Sequence, residues 1–251
     1  MRLGQIIKWS LLATLIFVAG GAGVLYFLAS GVPDAYRPAR LTAEQRQDYA
    51  FTKLLQDRDQ FDDLAQQDEP YDWSIDEHRL NGYLASMDEI ASIRPGGRVG
   101  EVDAVMRRAG LAEPAIDLQD GMVTLMVRST DYDKILCADF SLEVTPEGLL
   151  SIRLVGARVG HLPIPLDQVA GMFNGLKERL AERTPPEDEE DSNGLAPSER
   201  AARLLATLIA AIDSDPVPTE FHWQDNLDVR VDGLRIGDDK LTLHVVPLRR
   251  N

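Results

Sequence analysis

An uncharged, apolar stretch at residues 9–32 limits what this chain can fold into more than any other feature of its sequence. At a rise of about 1.5 Å per residue, a helix of this length spans roughly 36 Å, more than the hydrocarbon core of a bilayer, which is about 30 Å thick. A helix also satisfies every backbone polar group without water. Because Gly31 and Pro33 supply a helix stop, the stretch predicts a transmembrane helix over residues 9–32.

Two other interpretations of the stretch are open. A cleaved signal peptide would use Arg2 and Lys8 as its basic region and residues 29–31 as its small-residue cleavage site, but its apolar region is normally about 7–15 residues long. A buried helix of a soluble domain is disfavoured because the charge-free surface covers all faces. We therefore expect an uncleaved anchor, with Trp9 and Tyr26 near the two membrane interfaces.

The flanking charges do not decide the orientation of this anchor, because basic residues stand close to both of its ends. Long domains are translocated largely regardless of charge. We therefore expect residues 1–8 to form a cytoplasmic tail and the large domain to lie outside the cell (inner) membrane.

Small residues near the middle of the stretch, Gly20, Gly21 and Gly23, bear on oligomeric state. They would let two membrane helices approach closely, which makes a homodimer through this patch one interpretation. The other interpretation is that glycine is simply common in membrane helices.

Charge and cysteine content exclude several classes of protein. The chain has 41 Asp and Glu against 26 Lys and Arg, a net charge of −15, whereas a nucleic-acid-binding protein needs a basic face. An apolar content of 44% argues against a wholly disordered chain. A single cysteine excludes an intramolecular disulfide framework and a multi-cysteine zinc site.

Helical patterns follow a short polar linker at residues 33–41. Thr42 begins a capping box, and the apolar residues after it recur at helical spacing, which predicts an amphipathic helix over residues 42–66. The apolar face of this helix would be Ala50, Phe51, Leu54, Leu55, Phe61 and Leu64. A second capping pattern at residues 74–77 precedes a helix over 76–88, and a short helix at 99–109 ends at Gly110.

Elsewhere the apolar period is two, which is typical of strands. We predict strands around residues 71–75, 123–127, 138–144, 150–154, 221–223, 227–231 and 241–245, with a bulge at Gly233. Short connections favour one antiparallel sheet of about five to seven strands with helices on one face. Two more helices, around 166–180 and 198–212, would flank an acidic mobile loop at 185–197. Residues 42–251 are therefore predicted to form one extracytoplasmic α+β domain.

Three stretches carry a resemblance: SIDEHRLNGYLA at 74–85, VGARVGHLPIPLDQV at 155–169 and GVPDAYRPARLTAEQ at 31–45. Together they resemble uncharacterised single-span envelope proteins of planctomycete-type bacteria and, more distantly, the YpmS-like membrane-anchored proteins. The resemblance implies a membrane-anchored outer domain and carries over no activity or catalytic residue. The chain departs from the pattern in the acidic run at 187–191.

Four residues of these motifs are candidate structural positions: Asn81, Gly160, Pro163 and Pro165. Asn81 lies between leucines on its helix, so an inward-facing amide must hydrogen-bond, and a strand backbone is the expected partner. Its replacement by alanine is expected to cost about 1–3 kcal/mol. Gly160 closes a strand of small residues, the two prolines cannot donate ladder hydrogen bonds and so end it, and Pro165 can begin the next helix.

The sequence offers no recognisable catalytic motif. It lacks a G-x-S-x-G elbow, an H-E-x-x-H pair and the glycine-rich phosphate and dinucleotide loops. The four histidines are scattered without ligand spacing, and Cys137, with polar neighbours in a predicted strand, is interpreted as a packed thiol. We therefore predict no metal, cofactor or catalytic residue.

The sequence leaves two functions in view. The first is a non-catalytic binding or scaffolding module of the cell envelope that holds a protein partner or an apolar ligand near the membrane. The second is an envelope hydrolase that uses an Asp/Glu pair, suggested only by the surplus of acidic residues.

Overall fold

A computed structural model of the chain describes residues 23–67, 69–93, 97–169, 216–224, 227–237 and 239–249. Within these ranges the fold is a mixed α+β arrangement of helices and two antiparallel sheets. The predicted class is therefore confirmed, and the prediction of one sheet is wrong.

The described helices are short and cluster in the first half of the chain. They are α1 (Ala43–Gln47), a π-helical segment (Asp48–Lys53), α2 (Leu54–Ala65), α3 (Glu77–Ala85), α4 (Met87–Ser92) and α5 (Glu101–Arg108). Residues 23–30 and 166–169 are also helical. The predicted helix over 76–88 is thus two helices, separated at the buried Ser86.

The strands run in two groups. They are β1 (Tyr71–Asp76), β2 (Leu111–Gln119), β3 (Met122–Ser129), β4 (Lys134–Val144), β5 (Leu149–Val159), β6 (Leu162–Pro163), β7 (Val217–Pro218), β8 (Glu220–Gln224), β9 (Leu227–Gly237) and β10 (Lys240–Arg249). Sheet A has the order β1-β10-β9-β8, and sheet B the order β2-β3-β4-β5-β6 with β7 also paired to β5.

The division into two sheets follows from one long-range pairing. The first strand, β1, pairs with the last, β10, so that Tyr71 lies opposite Val245. Strands β2 to β5 pair instead with their neighbours in sequence. The alternation of apolar and polar residues along a strand predicts which face of that strand is apolar. It does not predict which distant strand will pair with it.

A π-helical segment corrects the predicted apolar face of the first helix. Ala50 and Phe61 are buried as expected, but Phe51 and Leu55 are each 48% exposed. A π turn holds about one residue more than an α turn, so it rotates the following residues by about 100° relative to a regular helix. The helix therefore presents Tyr49 and Ala50 in one direction and Phe61 in another.

Sheet A packs against α2 through aromatic rings. Phe61 meets Tyr71 and Trp73 edge-on, with ring centroids 5.7 and 5.9 Å apart, and lies 4.6 Å from Trp223. The indole N–H of Trp223 donates to the carboxylate of Asp62 on the same helix. Aromatic burial of this kind is a large stabilising contribution, and it fixes α2 on the sheet.

The apolar residues that the two-residue period predicts for β3, β4 and β5 lie on one face of sheet B. Val123 lies opposite Phe140, and Phe140 opposite Leu154. The other face carries Asp139 and a buried cluster of Ala115, Met126, Ile135, Cys137 and Tyr36. Tyr36 belongs to the predicted polar linker, which is therefore packed on the domain.

Several local predictions agree with the structure. The register of β9 and β10 shifts where Gly233 was expected to form a bulge, and Gly110 ends the α5 region with a φ of +70°. Strand β2 was not predicted: it contains Pro114 and, at Glu113, a φ of +50°, both unusual in a strand. The predicted helices at 166–180 and 198–212 and the acidic loop at 185–197 lie outside the described residues, except that 166–169 are helical.

The predicted transmembrane stretch lies mostly outside the described residues, which begin at Gly23. Among the helices that the structure does describe, none combines the length and hydropathy needed to cross a membrane.

Candidate binding cleft and anchor seat

Helix α3 is joined to sheet B by two of its own side chains. The Asn81 amide accepts from the Ile116 N–H and donates to the Ile116 carbonyl, each at 2.8 Å, and Glu77 accepts from the Leu118 N–H at 2.8 Å. Residues four apart on a helix rise by about 6 Å, close to the spacing of about 6.7 Å between alternate strand residues. Asn81 and Glu77 therefore hydrogen-bond to backbone groups along the edge of β2 that a neighbouring strand would otherwise pair with.

This arrangement supplies the strand partner that was expected for Asn81, which is 5% exposed. It also covers an edge of sheet B, and exposed edges are sites of unwanted pairing with other chains. Asp76 is the N-cap of α3, accepting from the Arg79 N–H at 2.6 Å. Because Asp76 caps the helix, Glu77 is not the capping-box acid that the sequence suggested and is available to bind β2.

A second set of contacts joins α3 to α2. Arg79 donates to both carboxylate oxygens of Asp57, at 2.9 and 2.6 Å, and the Tyr83 hydroxyl donates to the same carboxylate. Partial burial opposes ionisation of Asp57, but the hydrogen bonds from Arg79 and Tyr83 outweigh it and lower the pKa of the carboxyl group. The ionised form is therefore the one that stabilises the fold.

Acidification is expected to remove this contribution. A carboxyl with a lowered pKa stabilises the folded state above its unfolded pKa of about 3.9 and loses that effect as pH falls through its folded pKa. The loss of unfolding free energy caused by Asp57→Asn should thus be largest near pH 7 and shrink below about pH 4. Chemical denaturation across pH measures it. Asp59→Asn, an exposed position on the same helix, is the matched control, and a pH-independent Asp57→Asn effect would contradict the assignment.

Tyr49 of the π-helical segment fills the remaining space against α3. Tyr49 is 4% exposed, and its ring packs edge-on against Tyr83, with centroids 5.8 Å apart. Its hydroxyl lies 3.2 Å from Nε2 of His78. A Cβ added to Gly82 would stand 1.9 Å from the Tyr49 ring, so only glycine fits beneath it.

A cleft of about 880 Å³, here called the linker cleft, opens where the linker, the first helix and α3 meet. Three of its lining side chains are apolar: Pro38, Ala39 and Leu41. The others are charged or polar: Arg37, Arg40, Gln45, Asp48, Tyr49, Lys53, Asp76, Glu77, His78, Asn81 and Asp239. The cleft is therefore suited to a partner that offers hydrogen bonds and charges as well as apolar groups.

Two carboxyl groups at the base of α3 have raised pKa values. Burial is the main cause for both Glu77 and Asp117, and the negative charge of Asp239 raises each of them further. Arg37 acts in the opposite direction on both carboxyls. Burial and the adjacent, hydrogen-bonded carboxyl of Asp88 raise the pKa of Asp103 as well, so the described residues contain a second pair of interacting carboxyl groups.

A second feature, here called the anchor seat, holds residues 28–31 against sheet B. The His161 N–H donates to the Leu28 carbonyl at 2.9 Å, and the ring of His161 packs directly on Gly31. The last carbonyls of a helix have no partner within it, so this bond satisfies one of them. Lys134 at the start of β4 donates to the Ser30 hydroxyl, and its ammonium lies 4.7 Å from the centre of the Tyr26 ring.

Gly160 makes the seat possible. Its φ is +58°, and an added Cβ would lie 2.5 Å from the carbonyl oxygen of Gly31 and 2.7 Å from that of Leu28. Its N–H donates to the Ile135 carbonyl at 2.7 Å. The left-handed backbone and the close approach of the helix end both require glycine here.

Gly160→Ala is expected to loosen the seat as well as strain the turn. A left-handed alanine costs about 1–2 kcal/mol, and the clash with the helix end adds to that cost. Faster hydrogen exchange of the His161 amide would report the lost bond to Leu28. Gly121→Ala is the control, because Gly121 also has a positive φ, +79°, but nothing lies within 4 Å of an added Cβ. Equal exchange of the His161 amide in both variants would contradict the expectation.

The linker continues the attachment beyond the seat. The Tyr36 hydroxyl donates to the Glu113 carbonyl at 2.8 Å, and Tyr36 is 8% exposed. Burial, followed by the charge of Glu113, raises the pKa of Tyr36 to about 12. The linker is therefore fixed on sheet B and is not a free tether.

The four residues singled out from the sequence do not form one site. Asn81 lines the linker cleft at the β2 edge of sheet B, while Gly160 lies in the anchor seat at the other side. Pro163 lies in β6 opposite Arg158, and Pro165 immediately precedes the helical residues 166–169. Strand β5 ends at Val159, before the turn at Gly160, and Pro163 is the last residue of the separate strand β6.

Other residues predicted from the sequence have structural partners. Cys137 is 4% exposed, and burial raises its pKa to about 11, in keeping with a packed thiol. His222 and His244 lie 2.8 Å from Asp228 and Asp72, and neither histidine lines the linker cleft. Within the described ranges, no three His, Cys, Asp or Glu side chains are grouped as a metal ion would require.

Sequence reasoning did not identify Glu77, Lys134 or Tyr36 as contact residues. Glu77 had a signal, since it stands four positions before Asn81 on the same predicted helix. Lys134 and Tyr36 had none, because their partners lie 104 and 77 positions away along the chain.

In comparisons with known proteins, no family model, no curated protein and no solved structure matches this chain.

Proposed function

We propose that the chain is a single-pass protein of the cell (inner) membrane, anchored by residues 9–32, whose extracytoplasmic domain is a non-catalytic binding or scaffolding module of the envelope. The anchor seat is the observation that supports this proposal. It holds a helix whose large apolar side chains are exposed: Val24, Leu25, Tyr26 and Phe27 are 53–77% exposed. Water is an unfavourable environment for such a surface, and lipid is a favourable one.

The seat also bears on the signal-peptide interpretation. Cleavage at residues 29–31 would remove Leu28, which accepts the His161 N–H, and would cut the chain beside Ser30. Because residues on both sides of this cleavage site contact the folded domain, the contacts favour a chain that is not cleaved there. We therefore propose an uncleaved anchor.

Fractionation of cells that express the full-length chain with a C-terminal tag tests the anchor. The chain should stay in the membrane pellet after an alkaline carbonate wash, because a bilayer-spanning helix is not released by loss of ionic contacts. Protease added to intact spheroplasts should digest the tagged domain. Release of the full-length chain by carbonate would overturn the anchor, and protection of the domain until lysis would overturn its orientation.

The linker cleft is the proposed site for a partner. Its lining favours a protein segment over a lipid, because most of its side chains are charged or polar. A photo-crosslinking residue at Ala39 should capture a discrete partner, whereas the same residue at Gln60, exposed on α2, should not. Native mass spectrometry of the gently purified protein tests whether the ligand is apolar instead. A co-purified lipid would support an apolar ligand, and the absence of any co-purified lipid would contradict it.

Self-association through Gly20, Gly21 and Gly23 belongs to the same proposal. Of these, Gly23 is described, and no atom of the described residues lies within 4 Å of a Cβ added there. That side of the helix is therefore open to a second helix. Gly21→Leu should abolish the disulfide-independent dimer that chemical crosslinking detects in membranes. A dimer that persists in this variant would contradict self-association through the glycines.

The alternative proposal, an envelope hydrolase with a carboxylate pair, is favoured by one observation, the raised pKa values of Glu77 and Asp117. Glu77→Gln keeps an acceptor for the Leu118 N–H but removes the charge. A carboxyl with a raised pKa destabilises the folded state once it ionises, so a structural Glu77 predicts a higher melting temperature for Glu77→Gln near pH 7 and no gain at pH 3. Turnover of chromogenic esters or glycosides by the wild type, lost in both Glu77→Gln and Asp117→Asn, would favour the hydrolase instead.

A further inference from the structure

We infer that the end of sheet B at the β3–β4 turn faces the bilayer, and that Tyr132, Arg107 and Arg108 lie among the lipid headgroups of the leaflet into which the chain is anchored. The inference rests on the proposed anchor at residues 9–32. It assigns to the domain a fixed membrane-facing surface, here called the membrane face.

Strand register places this end of sheet B on one line. Leu111 pairs with Ser129, and Ser129 with Lys134. Gly160 follows the end of β5 and donates to the Ile135 carbonyl. Four adjacent strands have three gaps of about 4.8 Å between them, so the whole end lies within about 15 Å of the anchor seat.

The anchor fixes the depth of the seat. In the proposed anchor, a helix from Trp9 to Tyr26 would rise by about 26 Å, close to the thickness of the hydrocarbon core, which would set the two rings at the two interfaces. The Lys134 ammonium lies 4.7 Å from the Tyr26 ring and therefore stands at headgroup depth. The inferred orientation sets the row of strand ends parallel to the bilayer, which brings the ends beside Lys134 to the same depth.

The side chains at this end suit lipid headgroups. Tyr132 is 68% exposed at the turn between β3 and β4, and an exposed aromatic ring with a hydroxyl is favoured at a membrane interface. Arg107 and Arg108 are exposed at the end of α5, just before β2 begins. Their charges complement lipid phosphate, although the chain as a whole carries −15.

Acidic side chains share the same end, and each has a neighbour in the protein. Asp133 lies 4.0 Å from Nε of Arg128, and Glu113 lies 3.5 Å from the same guanidinium. Asp131 lies against Gly110. Asp103 pairs with Arg107 at 3.9 Å on an exposed surface, where such a pair is weak and can exchange for a phosphate.

Site-specific fluorescence quenching of the full-length chain in nanodiscs of phosphatidylcholine and phosphatidylglycerol tests the membrane face. The probes are carried one at a time by Tyr132→Cys and Arg107→Cys, and Met122→Cys at the other end of β3 is the matched control. Seven strand rises separate Met122 from Ser129 by about 23 Å. The native Cys137 does not compete for the thiol-reactive fluorophore, because it is 4% exposed and its pKa is raised to about 11.

Lipids with a nitroxide on the headgroup should quench the probes at positions 132 and 107 several-fold more than the probe at position 122. Equal quenching at all three positions would mean that the sheet lies flat on the bilayer and would overturn the inference. Chains that stay in the nanodisc with unquenched probes at 132 and 107 would overturn the membrane face alone. Failure of the chain to enter the nanodisc would overturn the anchor and the membrane face together.

Discussion

Replacing Asn81 with alanine is expected to lower the free energy of unfolding by about 3 kcal/mol, at the upper end of the range predicted from the sequence. The substitution removes a side chain that is 5% exposed and leaves the N–H and the carbonyl of Ile116, which are partly buried, without their partners. Each unsatisfied buried group costs about 1–3 kcal/mol. Urea or guanidinium denaturation of the purified protein measures the loss.

Two variants show whether the loss comes from these hydrogen bonds. Gln60→Ala removes an exposed amide from α2 and should leave the stability within about 0.5 kcal/mol of wild type. Asn81→Asp keeps an acceptor for the Ile116 N–H but cannot donate to the carbonyl while ionised, so it should recover stability as pH is lowered. An Asn81→Ala protein with the same free energy of unfolding as wild type would contradict the proposed stabilising role of this amide.

Gly82→Ala is expected to be at least as damaging, although alanine is normally the better residue in a helix by about 1 kcal/mol. The reversal arises because the added Cβ would lie 1.9 Å from the Tyr49 ring, which is buried between the first helix and α3. Either the ring or the helix must move, and overpacking of this kind costs about 1–3 kcal/mol or more. The measurement is again the free energy of unfolding, together with the near-ultraviolet circular dichroism of the tyrosines.

The control for this prediction is Gly237→Ala, since nothing lies within 4 Å of a Cβ added at Gly237. Combining Gly82→Ala with Tyr49→Leu should return part of the lost stability, because the smaller side chain makes room for the methyl group. A Gly82→Ala protein more stable than wild type would show that α3 and the first helix are not in the described contact.

Much of the secondary structure follows from local patterns in the sequence. Alternation in β4, where Asp139 and Ser141 lie on the opposite face from Ala138 and Phe140, needs only the two-residue period of a strand. The turn after α5 needs only the conformational freedom of Gly110. The pairing of β1 with β10 depends on segments about 170 positions apart, and no local pattern encodes it.

The contacts of the candidate site could likewise be predicted only in part from the sequence. The hydrogen bond of Asn81 to a strand could be predicted, because an amide among leucines on an amphipathic helix must find a buried partner. The identity of that strand could not, since β2 carries Pro114 and a left-handed Glu113 and lacks a typical strand pattern. Lys134 and Tyr36 resemble ordinary surface and linker residues until the fold brings the anchor helix and Glu113 beside them.

The π-helical segment makes the chain intolerant of length changes between Thr42 and Gln66. Deleting one residue from Asp48–Lys53 would restore a regular helix and swing one half by about 100° relative to the other. Either Tyr49 would leave α3 or Phe61 would leave the aromatic rings of sheet A. Homologous chains that keep this fold should therefore vary in composition along the helix but conserve its residue count.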